Sequence, residues 1–255
     1  MQTKFEEIAP IVRQEEIADD IYSMWIEAKD IAEHARAGQF LSVYSNDGSR
    51  LLPRPISICE IDREKGKLRL VYRVAGKGTK EFSDMHAAAT LKVMGPLGNG
   101  FPKKEKKPFL IGGGIGIPPM LELAKELDCV KQMVLGYRDE LFLNDEFKPY
   151  GTVTIATEDG SAGTKGNVLD AIRENGLTAD IIYACGPTPM LRAIKQYAAE
   201  HDIECYISME ERMACGIGAC LACVCQSKDK DAHSNVNNKR ICKEGPVFLA
   251  EEVEI

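Results

Sequence analysis

Four cysteines stand within eleven residues near the carboxyl end: Cys215, Cys220, Cys223 and Cys225, in "CGIGACLACVC". Eighteen residues then separate Cys223 from Cys242. This density constrains the last 48 residues (208–255) more than any hydrophobic pattern does. The segment has little periodicity and is too short to bury much core alone. A metal centre is one established remedy. C-x4-C-x2-C with a distant fourth cysteine is the plant-type [2Fe–2S] spacing. Gly216, Gly218 and Ala219 let the chain wrap closely and turn amides toward sulfur. Cys215, Cys220, Cys223 and Cys242 are therefore the predicted ligands. Structural zinc, which favours paired C-x2-C units, fits the x4 gap less well. Cys225 could replace Cys223 in a C-x4-C-x4-C arrangement, although the recognised spacing favours Cys223.

No run of 18 apolar residues is present, so no membrane span is expected. The start, "MQTKFEEIAP", is acidic and lacks the apolar core of a secretory signal. Nine cysteines without export point to the cytoplasm, where thiols stay reduced and a disulfide framework is disfavoured. A formal charge of −7 argues against a nucleic-acid partner held by backbone electrostatics. The "KKEKK" run at 103–107 reads as a solvated linker.

The rest of the chain divides near Lys103. Before it, short alternating runs at 21–28, 39–45, 55–62, 67–74 and 89–95 are separated by turn chemistry such as "NDGS" and "GPLGNG". That spacing predicts a small antiparallel β-barrel over 1–102. After it, strands at 109–114, 129–137, 151–159, 179–186 and 203–210 alternate with helices at 118–128, 167–175 and 188–201. The alternation predicts a parallel α/β sheet over 103–207, with ligand at the carboxyl ends of its strands. Cys59, Cys129 and Cys205 fall in predicted strands and read as core residues.

Four short stretches suit phosphate or nucleotide binding. In "RPISI" (54–58), Arg54 and Ser57 can hold a pyrophosphate, and Pro53 and Pro55 stiffen the turn. In "VYRVAGKGTKEF" (71–82), Tyr72 offers a flat face and a hydroxyl. Gly76, Gly78 and Thr79 there form a turn opening toward a helix, with amides free for phosphate. "IGGGIGIPPM" (111–120) departs from G-x-G-x-x-G, yet its glycines allow close backbone approach at a helix start. "YACGPTPM" (183–190) is a similar turn, whose Cys185 either faces the ligand edge or simply packs. Glu158 and Asp159, after a strand, are placed to meet a ribose hydroxyl.

R-P-x-S, Y-R-x-x-G-x-G-T, G-G-G-x-G-x-P-P and C-G-P-x-P-M, in that order, resemble the ferredoxin–NADP reductase superfamily. "SMEERMACGIGACLACVC" followed by "ICKEGPVF" resembles, more narrowly, the electron-transfer subunits of class 1B, NAD-dependent dihydroorotate dehydrogenases. The resemblance implies three parts: an FAD-binding barrel (1–102), an NAD-binding α/β domain (103–207) and a [2Fe–2S] domain (208–255). By it, Arg54, Pro55, Ile56, Ser57, Val71, Tyr72, Arg73, Gly78 and Thr79 contact FAD. Gly112, Gly113, Gly114, Gly116, Cys185, Gly186 and Pro187 lie at the nicotinamide nucleotide. It further implies an FMN-containing catalytic subunit as partner, in a heterotetramer with two of each chain. The implied electron path runs from dihydroorotate through the partner's FMN, this chain's cluster and its FAD to NAD+, in pyrimidine (UMP) biosynthesis. A flavin is needed there because nicotinamide exchanges electron pairs and iron–sulfur centres exchange single electrons. Met213, Ile217 and Leu221 are expected to meet the partner. The small subunits of NAD(P)H–ferredoxin oxidoreductase and sulfide dehydrogenase complexes share this layout. In them an aspartate can replace the first cysteine, whereas Cys215 is present here.

Overall fold

The computed structural model describes residues 3–230 and 235–255. Residues 1–2 and 231–234 lie outside the described residues. The amino-terminal part is a closed antiparallel barrel of β1 (Phe5–Ala18), β2 (Ile21–Glu27), β3 (Phe40–Val43), β4 (Arg54–Asp62), β5 (Lys67–Arg73) and β6 (Thr90–Leu97), with α1 (Lys29–His34) between β2 and β3 and α2 (Lys77–Ser83) between β5 and β6. The strand order around the barrel is β1-β2-β5-β4-β3-β6.

β1 and α1 were absent from the predicted strand pattern. β1 closes the barrel by pairing first with β6 through Phe5–Pro10 and then with β2 from Ile11 onward. Pro10, which has no N–H to donate, sits where the partner changes. Its charged, proline-broken sequence hides the strand because much of it faces solvent. Inside the barrel, Ile11, Met24, Ile26, Leu41, Ile58, Leu68, Leu70 and Val93 pack away from water.

The second part is a sheet ordered β10-β9-β8-β7-β11-β12-β15, whose last strand, β15 (Val247–Leu249), comes from the tail. In chain order these elements are β7 (Pro108–Gly113), α3 (Pro118–Glu126), β8 (Gln132–Tyr137), α4 (Asn144–Phe147), β9 (Thr152–Thr157), β10 (Thr164–Lys165), α5 (Val168–Glu174), β11 (Ile181–Cys185), α6 (Thr188–Glu200) and β12 (Glu204–Ser208). β7 to β12 are parallel. Strands after β7 add on one side, and β11 and β12 add on the other. The order therefore reverses between β7 and β11, which makes that crevice the expected ligand position. Cys129 lies in the bend before β8 and is half-buried, whereas Cys59 and Cys205 are core residues as expected.

The tail holds a small hairpin of β13 (Val224–Gln226) and β14 (Asn238–Arg240). It then sends β15 (Val247–Leu249) antiparallel onto the edge of β12. Periodicity did not reveal β15, because three residues are too few to show a period. The lysine run is not a free linker. Lys106 bonds Glu204 at 2.8 Å, Lys104 bonds the same carboxylate, and Lys103 pairs with Glu126 at 2.9 Å. Lys104 and Lys106 hold the Glu204 carboxyl down to about 2. Among the described residues, no helix is long and apolar enough to cross a membrane.

Candidate functional site

Arg54 opens β4, and Pro55, Ile56 and Ser57 pair with Ser42, Leu41 and Phe40 of β3. The alternation of β3 sends Leu41 and Val43 into the barrel core. It turns Phe40 and Ser42 outward, on the side shared by Pro55 and Ser57. The two flavin-like stretches meet at the guanidinium of Arg54. A Cβ added to Gly78 would lie 2.1 Å from Arg54 Nε, so any side chain there displaces the guanidinium. Thr79 spends its hydroxyl locally: Oγ1 accepts from Ala75 N at 2.9 Å and Gly76 N at 3.2 Å. It thereby shapes the turn that starts α2, whose first amides have no acceptor within the helix.

Tyr72 differs from the expected flat, accessible face. It is 3% exposed, packs edge-on against Phe82 in the barrel core and donates its hydroxyl to Gln14 at 3.0 Å. Burial raises its pKa. What the stretch 71–73 can offer a ligand is therefore its backbone and the exposed Arg73. Sequence reasoning also missed the loop of residues 45–50. Glu81 of α2 anchors it by accepting from Asn46 N at 2.7 Å and from the side chains of Ser45 and Arg50. An open cavity of about 390 Å³ lies between this loop and α2. The "NDGS" turn marked the loop, but nothing local indicated that it folds back onto α2.

The two glycine turns of the α/β sheet flank its reversal point, with Cys185 in register with Gly112. Most of these glycines serve packing between the turns. A Cβ on Gly116 would lie 2.3 Å from the Cys185 carbonyl oxygen, and one on Gly113 would lie 2.4 Å from Met190 Sδ. Gly114 differs: its φ is +51°, and a Cβ there would meet nothing within 4 Å. It faces open space, as a backbone surface for a ligand does. The Cys185 thiol is half-buried, and burial pushes its pKa up to about 12, so it is neutral. Asp159 caps its own turn, accepting from Ser161 N at 2.9 Å and Ser161 Oγ at 2.7 Å.

In the tail, the four predicted cysteines come together as two pairs. Cys220 sits beside Cys215, its amide 3.4 Å from the Cys215 sulfur, and Cys242 sits beside Cys223 in the same way. Cys242 N donates to Cys223 Sγ at 3.4 Å. Cys215 Sγ accepts from Ile217 N at 3.5 Å, Ala219 N at 3.3 Å and Cys220 N at 3.4 Å. Burial would raise the Cys215 pKa, but these amides and the Cys220 thiol outweigh it and hold it down to about 6. Gly216 and Gly218 take φ of +67° and +85°, the left-handed turns that aim the amides inward. Cys225 lies outside the set, with its thiol donating to Lys239 O at 3.5 Å.

This donor set fits an iron–sulfur rhomb, which takes two thiolates on each of two irons and amide hydrogen bonds at its sulfurs. Among the described residues, no group of three or more Cys, His, Asp or Glu side chains is gathered closely enough to hold a metal ion, and the four cysteines stand as two pairs. Met213 is 9% exposed and packs with Cys223 and Cys242, so it supports the loop from inside rather than from the surface. Ile217 and Leu221 are exposed at 41% and 58%.

The three regions adjoin one another through the barrel. A Cβ on Gly216 would lie 2.7 Å from Ser42 Oγ, and Ser42 pairs with Pro55. On the other side, the turn at Gly114–Gly116 lies against β5, the strand that ends in Val71–Arg73. The β4–β5 face thus stands between the glycine turn and the cysteine loop. Asn99 locks the tail to the barrel, donating to Val247 O at 2.7 Å and accepting from Val247 N at 3.0 Å.

Comparison with known proteins agrees with this architecture. Residues 210–254 match the iron–sulfur cluster binding domain of dihydroorotate dehydrogenase B. The dihydroorotate dehydrogenase B (NAD(+)) electron transfer subunit of Fusobacterium nucleatum subsp. nucleatum is 45% identical over 254 residues, covering 94% of this chain and 95% of that one. Its counterpart in Geobacillus sp. (strain WCH70) is 43% identical, covering 97% and 98%. Among solved structures, an NADH-dependent reduced ferredoxin–NADP oxidoreductase aligns with a TM-score of 0.87 at 31% identity, over 97% of this chain and 90% of that one. A ferredoxin reductase of carbazole 1,9a-dioxygenase, at 18% identity and a TM-score of 0.66 over 78% of this chain and 67% of that one, shares the fold. With relatives this similar over nearly its whole length, the chain belongs to the family of dihydroorotate dehydrogenase B (NAD+) electron-transfer subunits, oxidoreductase components that use FAD and an iron–sulfur cluster.

Proposed function

We propose that the chain carries electrons from a partner subunit's FMN, reduced by dihydroorotate, to NAD+. The complex holds two copies of each chain and works in the cytoplasm. The observation that carries this reading is the placement of the β4–β5 face between the Gly114 turn and the Gly216 loop. When bound, FAD, the [2Fe–2S] cluster and NAD supply hydride exchange on one side and single-electron exchange on the other.

The residues have distinct tasks. Arg54 and Ser57 hold the flavin pyrophosphate, Arg54 through charge-assisted bonds. Pro55, Ile56, Val71, Tyr72 and Arg73 form the strand backbone beside it, and Gly78 and Thr79 add first-turn amides of α2. Gly112, Gly113, Gly114, Gly116, Cys185, Gly186 and Pro187 receive the nicotinamide nucleotide at the sheet reversal. The neutral Cys185 thiol carries no charge toward it. Cys215, Cys220, Cys223 and Cys242 bind the irons, and the amides of Ile217, Ala219 and Cys220 stabilise negative sulfur. Exposed Ile217 and Leu221 flank the cysteines and give the partner an apolar contact.

The test is co-purification with the FMN-bearing subunit. The expected complex is yellow-brown and oxidises dihydroorotate with NAD+. An isolated chain that binds FAD and iron yet forms no such complex would overturn the partner assignment. A chain without NADH oxidation toward an artificial acceptor would overturn the nucleotide assignment, and cluster reduction without turnover would indicate a sensor.

A further inference from the structure

Arg240 reaches both halves of the cysteine cage. Its Nη1 donates to Gly218 O at 3.0 Å, inside the loop between Cys215 and Cys220. Its Nε donates to Glu244 Oε2 at 3.0 Å, and its backbone N donates to the same oxygen at 2.8 Å. The Arg240 carbonyl accepts from Lys243 N at 3.0 Å and Glu244 N at 2.9 Å, closing a turn around Cys242. The neighbouring Ile241 N donates to Cys223 O at 2.9 Å.

A trans peptide is planar, so its C=O and N–H point in opposite directions. Gly218 O and Ala219 N belong to one such peptide. By drawing the Gly218 carbonyl outward, the guanidinium directs the Ala219 N–H toward Cys215 Sγ, where it lies 3.3 Å away. Gly218, at φ +85°, permits the rotation, and a Cβ there would meet the Lys243 side chain at 2.7 Å. One planar fork thus joins two segments more than twenty residues apart in sequence and orients a sulfur-directed amide.

We propose that Arg240, buttressed by Glu244, is a positioning residue that sets the retention and reduction potential of the iron–sulfur cluster. The inference rests on the cluster reading above. A nearby positive charge and an N–H···S bond both favour the reduced, more negative cluster, so losing them lowers the potential.

The experiment uses the full chain with its flavin, purified anaerobically. Iron and sulfide content, midpoint potential by EPR-monitored titration, and cluster half-life under a chelator are measured for wild type, Arg240→Gln and Arg240→Lys. FAD content reports whether the rest of the chain is folded. Arg240→Gln is expected to titrate at a more negative potential and to lose its cluster several-fold faster, with FAD retained. Arg240→Lys keeps the charge but not the fork. It is expected to hold its potential closer to wild type while still losing cluster faster. If Arg240→Gln loses its flavin as well, the Arg240→Lys half-life decides. Wild-type potential and half-life in the interpretable variants would overturn the inference alone. A wild-type chain without iron and sulfide would overturn the cluster reading itself.

Discussion

Gly78→Ala separates flavin binding from folding, because the structure assigns the two opposite signs. The added Cβ would lie 2.1 Å from Arg54 Nε, 2.4 Å from Cζ and 2.5 Å from Nη2. Ordinary contact needs about 3.5 Å. The guanidinium must therefore move by roughly an ångström, which its flexible side chain can do. Gly78 lies in the first turn of α2 without a positive φ, so alanine suits the backbone. Stability should hold or rise by about 0.5–1 kcal/mol. On the proposed assignment of Arg54 to the flavin pyrophosphate, displacing it removes a charge-assisted bond of about 1.5–3 kcal/mol. FAD affinity should then fall by about 10- to 150-fold. The assay is equilibrium titration of flavin-free chain with FAD, paired with urea unfolding of the same preparation. Arg54→Ala should lose a similar affinity, and the double variant should lose little more than either single one. Unchanged FAD affinity in Gly78→Ala, or full additivity in the double variant, would refute the reasoning.

Other expectations follow from the same geometry. Cys225→Ser should keep iron and sulfide at wild-type content while Cys223→Ser loses them, and the reverse outcome would exchange their roles. Ile217→Asp should weaken partner binding measured by calorimetry without bleaching the cluster spectrum, and unchanged affinity would count against that face. Glu122, 2% exposed in α3, accepts from Ile61 N at 2.9 Å and so joins the two larger domains. Burial raises its pKa above 4.5, with Lys125 and Arg63 opposing. Its protonated form therefore contributes stability that is present below pH 4.5 and lost as pH rises through the raised value. Glu122→Gln mimics the protonated form, so its urea midpoint should gain on wild type as pH rises from 5 to 8, and a shrinking difference would refute this.

Much of the fold was readable because its signals are local. The strands at 54–62 and 67–73 alternate, and the helices at 118–126 and 188–200 carry proline in their first turn. The cysteine spacing was legible as a motif because ligand spacing follows loop geometry; the structure sets Cys220 beside Cys215 and Cys242 beside Cys223. What stayed hidden depends on tertiary partners. β1 is a strand because β2 and β6 flank it, despite its charges and Pro10. Tyr72 turned inward because the register of β5 against β2 set its face. Met213 went to the core because the loop folds back over Cys223 and Cys242. Arg240 carries no motif at all; only the three-dimensional approach of Gly218 reveals its place.

The arrangement is tested most directly by adding NADH, without oxygen, to chain stripped of FAD but retaining its iron. Obligatory mediation by the flavin predicts that the cluster stays oxidised until FAD is restored and then shows its reduced EPR signal. Equally rapid cluster reduction with no flavin present would contradict it.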